Sequence, residues 1–205
     1  MNAIQGIIVF DIFGTLIKKG FAGKLTDTAL LQEYLLPGVS AFLERNADYL
    51  VAFASDRDNE TCNTAIDKIL PMMGLSSLIN APRFSSETMD GPYLDLGAIA
   101  RRFEVPNYDL VMIGACDIDM ASAKRYGTKG IEFTFDKPEF ERHFEIGGLG
   151  KISEIFPKGN YYVKIDIEKY GHSTYKRKIF NPIEKYDNRP DFFLPGITPD
   201  YPNIL

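Results

Sequence analysis

A short apolar run that ends in one carboxylate restricts the fold of this chain more than any other feature. Residues 7–10 are Ile-Ile-Val-Phe, and Asp11 follows them directly. Such a run is typical of a central strand in a parallel sheet, which is buried on both faces. Open α/β sheets bind their ligands at the carboxyl ends of these strands. We therefore expect Asp11 to lie at the ligand-binding edge of a sheet.

The residues after Asp11 favour a functional role for this carboxylate. An isolated strand followed by Asp is also compatible with a carboxylate that only caps a loop. Here Gly14 permits a sharp backbone turn beside Asp11, and Thr15 adds a hydroxyl and an amide to the same small space. Asp11 is thus a candidate nucleophile, and Gly14 and Thr15 are candidate substrate-binding residues.

Helical and strand periods alternate over most of the chain, which predicts an α/β fold with a doubly wound parallel sheet. The predicted elements are helices at 29–36, 39–46, 59–73, 93–103, 120–126 and 150–156, and strands at 7–10, 49–54, 78–81, 110–113 and 130–135. At 205 residues with 45% hydrophobic composition, the chain can bury one good core. We expect one main domain, residues 1–157, with an appendage.

The appendage, residues 158–205, has a different pattern. Apolar and polar residues alternate over 161–168, and a second strand is predicted at 173–180, which together indicate a β-hairpin. Five of the twelve prolines follow position 181, so the remainder is predicted to be an extended tail. The tail is expected to pack against its own domain or against a second copy of the chain, in a homodimer.

Charge and patterning exclude several classes of partner. The net charge of −5 argues against a nucleic acid as the main partner, because phosphate backbones require clustered Lys and Arg. No apolar run is long enough to cross a bilayer, and the first residues lack a basic and apolar leader, so we expect a cytoplasmic protein without a membrane partner. Two cysteines and two histidines lack zinc-site spacing, so no Cys/His metal site is expected.

Three stretches together resemble the haloacid dehalogenase (HAD) superfamily. Residues 6–16 (GIIVFDIFGTL) resemble its first signature, and residues 49–55 (YLVAFAS) resemble its second, a strand that ends in Ser or Thr. Residues 109–119 (DLVMIGACDID) resemble the fourth, a strand followed by glycine and acidic residues. The resemblance covers about residues 4–156, and its specificity comes from the order and spacing of the stretches.

The resemblance implies phosphatase chemistry in which Asp11 attacks phosphorus and forms an acyl phosphate. Ser55 and the amides of the turn that contains Gly14 and Thr15 would bind the phosphoryl oxygens. The implied cofactor is Mg²⁺. We therefore expect Asp11, Ser55 and the acidic end of the fourth signature to converge at the carboxyl ends of the strands.

The resemblance also implies how Mg²⁺ would be held. The ligands would be the Asp11 carboxylate, the carbonyl oxygen of Phe13, and an acidic residue of the fourth signature. Asp119 keeps the second acidic position of that signature, and Asp117 is an additional carboxylate that could substitute.

Three positions depart from the phosphatase pattern. Phe13 stands where most HAD phosphatases carry an Asp that acts as general acid and base, and Ala115 stands where a direct metal ligand is usual. The expected lysine aligns near Asp90, where none is present. Arg83 and Arg57 are the candidates for the missing positive charge, and either is also consistent with a solvated loop arginine.

An aromatic residue at position 13 also resembles the 2-haloacid dehalogenases of the superfamily, which need neither a second Asp nor Mg²⁺. Those enzymes carry a large helical cap, whereas the intervals at 17–36 and 56–91 have no room for one. The predicted site is therefore uncapped and open.

Three functions remain compatible with the sequence. The first is a weak or specialised Mg²⁺-dependent phosphatase that acts on a phosphorylated small molecule or macromolecule. The second is a metal-independent, dehalogenase-like hydrolase. The third is a catalytically silent module that serves in binding or assembly.

Overall fold

A computed structural model describes residues 4–134, 146–156, 162–166 and 176–180 of the chain. Its centre is a seven-stranded sheet in the order β11-β10-β9-β8-β1-β4-β5. All neighbouring pairs are parallel except β10 with β11. The strands are β1 (Gly6–Asp11), β4 (Tyr49–Ala54), β5 (Arg83–Phe84), β8 (Leu110–Gly114), β9 (Lys129–Thr134), β10 (Tyr162–Asp166) and β11 (Lys176–Phe180). The predicted doubly wound parallel sheet is confirmed.

Among the described residues, four two-residue strands and six α-helices accompany this sheet. The short strands are β2 (Phe13–Gly14), β3 (Ile17–Lys18), β6 (Met89–Asp90) and β7 (Tyr93–Leu94). The helices are α1 (Thr28–Tyr34), α2 (Val39–Arg45), α3 (Asn59–Met72), α4 (Leu96–Arg102), α5 (Asp117–Tyr126) and α6 (Ile152–Ile155). No helix in the described part of the chain is long and apolar enough to cross a membrane.

The side chains of β1 alternate between two cores, one on each face of the sheet. Ile8 and Phe10 pack in one core with residues of α1, α2, α3 and α6, whereas Ile7 and Val9 pack in the other with residues of α4 and α5. These four β1 side chains are fully buried. Burial of a large aliphatic or aromatic side chain contributes about 1.5–3 kcal/mol. The sheet therefore holds the end of β1, and Asp11 with it, in a rigid setting.

The strand predicted at 78–81 is wrong. Residues Ser76–Leu78 form a short 3₁₀ helix, and the strand next to β4 is β5 instead. The amides of Leu78 and Ala81 donate to carbonyl groups three residues earlier, so the backbone of this apolar run forms turns and not a strand. Leu78, Ile79 and Ala81 are partly buried against the core, and their apolar character did not decide the backbone conformation.

The helix predicted at 93–103 is shorter than expected. It begins at Leu96, because the Asp95 carboxylate accepts a hydrogen bond from the amide of Ala98 at 2.7 Å and caps the first turn. The two residues before the cap, Tyr93–Leu94, pair with Met89–Asp90 as a small antiparallel ribbon.

The predicted hairpin is confirmed as an antiparallel pair of β10 and β11, with Tyr162 opposite Phe180. The sequence did not predict where this hairpin lies. In the structure β10 also pairs in parallel with β9, so the hairpin extends the central sheet. The division into residues 1–157 and 158–205 stays a prediction. The proline-rich tail after residue 180 lies outside the described residues, and so does the proposed packing of that tail.

Within residues 17–36 and 56–91 the structure contains only β3, α1, α3, β5, β6 and short 3₁₀ turns. These elements are too small to form a cap domain over the end of β1. The site at the carboxyl ends of the strands is therefore uncapped by the segments of residues 4–134, as expected.

Candidate active site

Asp11 is the last residue of β1, which lies between β8 and β4 in the sheet. The chain turns sharply behind it, and the amide of Leu16 binds the Asp11 carbonyl at 3.3 Å. Gly14 has a φ of 102° within this turn, a conformation that residues with a Cβ rarely adopt. A Cβ there would also lie 2.8 Å from Cys116 Sγ. Glycine at position 14 therefore keeps both the turn and the space beside Asp11.

Asp119 reaches the same edge of the sheet from the first turn of α5. Its Oδ2 accepts a hydrogen bond from the amide of Cys116 at 3.0 Å, which fixes the carboxylate at the amino end of the helix. The carboxylate packs directly against Gly114, where an added Cβ would collide with it. The glycine that ends β8 is thus required for the position of Asp119.

Asp11, Asp119 and Cys116 form one cluster, in which one ligand atom from each lies within 4.8 Å of the others. Asp11 and Asp119 are buried, with exposed fractions of 4% and 2%. Asp11 Oδ2 has no hydrogen-bond partner, although it is buried. An unpaired buried carboxylate oxygen is costly, so its presence at the end of a central strand indicates a ligand site.

The electrostatics of the cluster follow from burial. Burial, followed by the charge of Asp119, raises the pKa of Asp11 well above its ordinary value. Burial raises the pKa of Asp119 to about 7, and the charge of Asp56 adds to the effect. Burial and the charges of Asp11 and Asp119 raise the pKa of the Cys116 thiol to about 12. A bound cation would favour the charged form of each group and would therefore lower all three pKa values.

The oxygen donors of the cluster fit Mg²⁺. Two carboxylates lie within reach of one ion, and the Phe13 carbonyl oxygen is close by, since it accepts the Cys116 thiol hydrogen at 3.8 Å. Mg²⁺ is usually held by one or two carboxylates together with waters. Asp11, Asp119 and the Phe13 carbonyl would therefore hold the ion. Asp117 would not, because its side chain is exposed and lies outside the cluster.

Two residues with buried hydroxyls lie near Asp11. Thr15 is close to it along the chain, and Ser55 follows the strand that pairs with β1. Ser55 directly follows Ala54, the residue paired with Asp11, and its Oγ accepts a hydrogen bond from the amide of Arg57 at 3.1 Å. Thr15 Oγ1 is buried and has no hydrogen-bond partner. Ser55 therefore follows the carboxyl end of β4, and the substrate-binding roles of Ser55 and Thr15 stay predictions.

Arg83 is not brought together with these residues. Its guanidinium donates to Asn63 Oδ1 at 2.9 Å, to Asp67 Oδ1 at 2.7 Å and to the carbonyl of Ile79 at 2.6 Å. These bonds tie the end of β5 to α3 and occupy the side chain. The other candidate, Arg57, has its guanidinium 6.0 Å from the centre of the Phe13 ring, next to the Asp11 turn.

Asp90, near which the family lysine aligns, binds Arg125 Nη2 at 2.6 Å and the Tyr126 hydroxyl at 2.8 Å. It serves to link β6 to the end of α5. Cys116 is the site residue that the sequence reasoning missed. Its sequence signal is its position between the glycine that ends β8 and the buried Asp119, which Cys/His spacing does not reveal.

No protein-family model matches the chain, and no curated protein matches it. Among solved structures, it is similar to a D,D-heptose 1,7-bisphosphate phosphatase from B. bronchiseptica complexed with magnesium and phosphate. The two chains are 20% identical, the match covers 62% of this chain and 80% of that one, and the TM-score is 0.48. A putative β-phosphoglucomutase from Thermotoga maritima is 13% identical, with 72% and 92% covered and a TM-score of 0.47.

A haloacid dehalogenase-like hydrolase from Streptococcus pneumoniae is 16% identical, with 63% and 85% covered and a TM-score of 0.45. At these identities the likeness concerns the fold alone. The sheet order, with Asp11 ending the central strand and Asp119 following the next, has the arrangement that the resemblance implied. The described residues thus form a mostly parallel α/β sheet flanked by helices.

The buried carboxyls predict that the metal-free protein becomes less stable as the pH rises. Because the folded-state pKa values of Asp11 and Asp119 lie above their ordinary values, the folded state keeps protons that the unfolded state has released. The contribution of these carboxyls to the free energy of unfolding is fully present below about pH 4 and is lost as the pH rises to 7 and above. Asp119 alone, shifted from 3.8 to about 7, corresponds to about 4 kcal/mol.

Urea unfolding in a chelator at several pH values measures this effect. We expect a falling free energy of unfolding between pH 5 and pH 8, and a flatter profile for Asp119→Asn, whose amide oxygen still accepts the bond from the Cys116 amide. A wild-type profile that rises over this interval would contradict the assignment.

Proposed function

We propose that the protein is a Mg²⁺-dependent phosphatase in which Asp11 is the nucleophile and forms an aspartyl phosphate. The observation that carries the proposal is the unpartnered, buried Asp11 Oδ2 at the end of the central strand, with the Asp119 carboxylate within reach of the same ion. A structural carboxylate at this position would be expected to have its oxygens satisfied by the protein.

The reaction requires two displacements at phosphorus. An oxygen of Asp11 bonds to phosphorus as the bond to the leaving-group oxygen breaks, and a water then releases inorganic phosphate and regenerates the carboxylate. When bound, Mg²⁺ would supply charge neutralisation between carboxylate and phosphate. The buried hydroxyls of Ser55 and Thr15 and the amides after Asp11 would bind the phosphoryl oxygens.

The leaving group limits the substrate class. Phe13 has no proton to give, and the side chain of Ala115 cannot ligate a metal. Loss of a general acid and base typically costs about two to four orders of magnitude in rate. We therefore propose acyl or aryl phosphates as substrates, because their leaving groups need little protonation. The uncapped edge of the sheet admits either a small molecule or a phosphorylated side chain of a macromolecule.

Trapping of the phosphoenzyme tests the proposal. The protein is mixed with radiolabelled acetyl phosphate and Mg²⁺, quenched in acid, and counted after precipitation. We expect label on the protein that hydroxylamine removes, as an acyl phosphate requires, and slow hydrolysis of an aryl phosphate that ceases in a chelator. A folded protein with neither label nor turnover would favour the catalytically silent binding module, whereas hydrolysis of a 2-haloacid without metal would favour the dehalogenase-like alternative.

A further inference from the structure

The Cys116 thiol is part of the carboxylate cluster, and the proposed phosphatase chemistry does not use it. Its sulfur lies within 4.8 Å of a carboxylate oxygen of Asp11 and of Asp119. The thiol's hydrogen-bond acceptor is the Phe13 carbonyl at 3.8 Å, a long contact even for sulfur. The residue as a whole is partly exposed.

A second observation points to a ligand between these groups. Asp11 Oδ2 is buried and unpartnered, and the space beside it is kept free of side chain by Gly14. A Cβ at position 14 would lie 2.8 Å from Cys116 Sγ and 3.8 Å from Asp11 Oδ2, so this glycine borders both donors. Glycine at position 14 thus permits an oxygen donor and a sulfur donor to approach the same point of the backbone.

The donor set separates classes of metal. Mg²⁺ takes oxygen ligands and gains nothing from a thiol, whereas Zn²⁺ and Cd²⁺ bind thiolate sulfur strongly. Three protein donors and an open fourth position are also the arrangement of catalytic zinc sites. We propose that Asp11, Cys116 and Asp119 form a site for a thiophilic divalent cation such as Zn²⁺, which binds through the Cys116 sulfur in preference to Mg²⁺.

Binding replaces the S–H bond of Cys116 by a sulfur–metal bond, and the thiol proton passes to solvent. The inference rests on the proposed function, because the same site would hold the Mg²⁺ of turnover and a thiophilic cation would compete with Mg²⁺ for it. Its consequence is that turnover should be measured with Zn²⁺ as well as with Mg²⁺. Its test does not depend on turnover.

Cadmium titration of the metal-free protein gives a direct signal, because a cadmium–thiolate bond absorbs in the ultraviolet. We expect a charge-transfer band that saturates at one equivalent of Cd²⁺ in wild type and in Cys62→Ser, whose thiol is buried and lies outside the cluster. Cys116→Ser should lose the band. Asp119→Asn should keep the band and weaken the affinity by at least about tenfold, because the loss of a ligand costs no less than the loss of a group that only supports a ligand.

Alkylation of the wild-type protein provides a second readout that needs no variant. Zn²⁺ should slow the modification of Cys116 by a neutral maleimide by at least about tenfold, measured on the peptide by mass spectrometry, and Mg²⁺ at the same concentration should not. Absence of the band in folded wild type, a band that persists in Cys116→Ser, or equal protection by Mg²⁺ would each overturn the inference. A band without turnover in any metal would instead contradict the proposed phosphatase while leaving the metal site in place.

Discussion

Asp11→Asn should abolish both the phosphoenzyme label and the hydrolysis of aryl phosphates. An amide is not a nucleophile towards phosphorus and cannot form an acyl phosphate, so we expect a loss of at least about four orders of magnitude in turnover. The substitution is nearly isosteric, and it removes a buried acid whose pKa is raised by burial and by Asp119. The metal-free variant should therefore be at least as stable as wild type at pH 8.

This combination of lost activity and retained stability is the informative result, because a merely structural Asp11 would lower both together. Asp48→Asn is a matched control, since Asp48 directly precedes β4 and lies at the opposite, amino edge of the sheet. It should leave turnover within about twofold of wild type. Turnover in Asp11→Asn comparable to this control would show that another residue carries the chemistry.

Phe13→Asp should raise turnover of substrates with poor leaving groups by about two orders of magnitude. The introduced carboxyl would supply the absent general acid and base from the residue two positions after the nucleophile. Phe13 is partly buried against the core, so the change also removes apolar contacts and should cost about 1–3 kcal/mol of stability. The gain should be largest for alkyl phosphates, whose leaving oxygen needs a proton most, and smallest for aryl phosphates.

Phe13→Asn is the matched control, because Asn is close to Asp in size and polarity but its amide cannot act as a general acid or base. The Arg57 guanidinium, 6.0 Å from the Phe13 ring centre, would favour the ionised form of the introduced carboxyl and so limit its use as an acid. The double variant with Arg57→Gln should then exceed Phe13→Asp alone on alkyl phosphates. Equal rates for the Asp and Asn variants would refute a general acid–base role at this position.

Several features of the site could be predicted because they depend on local pattern and on one rule of topology. A buried run ending at Asp11, with Gly14 in the turn, specifies a strand and the conformation after it. The single glycine that ends β8 and the acidic start of α5 are equally local. Because the carboxyl ends of parallel strands share one edge, Asp11 and Asp119 could be expected to converge from positions more than a hundred residues apart.

Other features were decided by packing between distant segments. The sequence alone does not show which polar group Arg83 or Cys116 contacts. In the structure Arg83 binds Asp67 on α3, whereas Cys116 lies in the cluster with Asp11. The hairpin of β10 and β11 could be recognised by its alternation, but its pairing with β9 depends on which sheet edge is free.

Periodicity states which residues are buried and in which local conformation, whereas the partner of a polar side chain is set by distances that exist only after the elements have packed. The pKa values of Asp119 and Cys116 belong to this second class, because burial is their largest cause. Motif spacing therefore placed Asp11 at the edge of the sheet, and tertiary packing decided that a thiol, rather than an arginine or Asp117, completes the cluster around it.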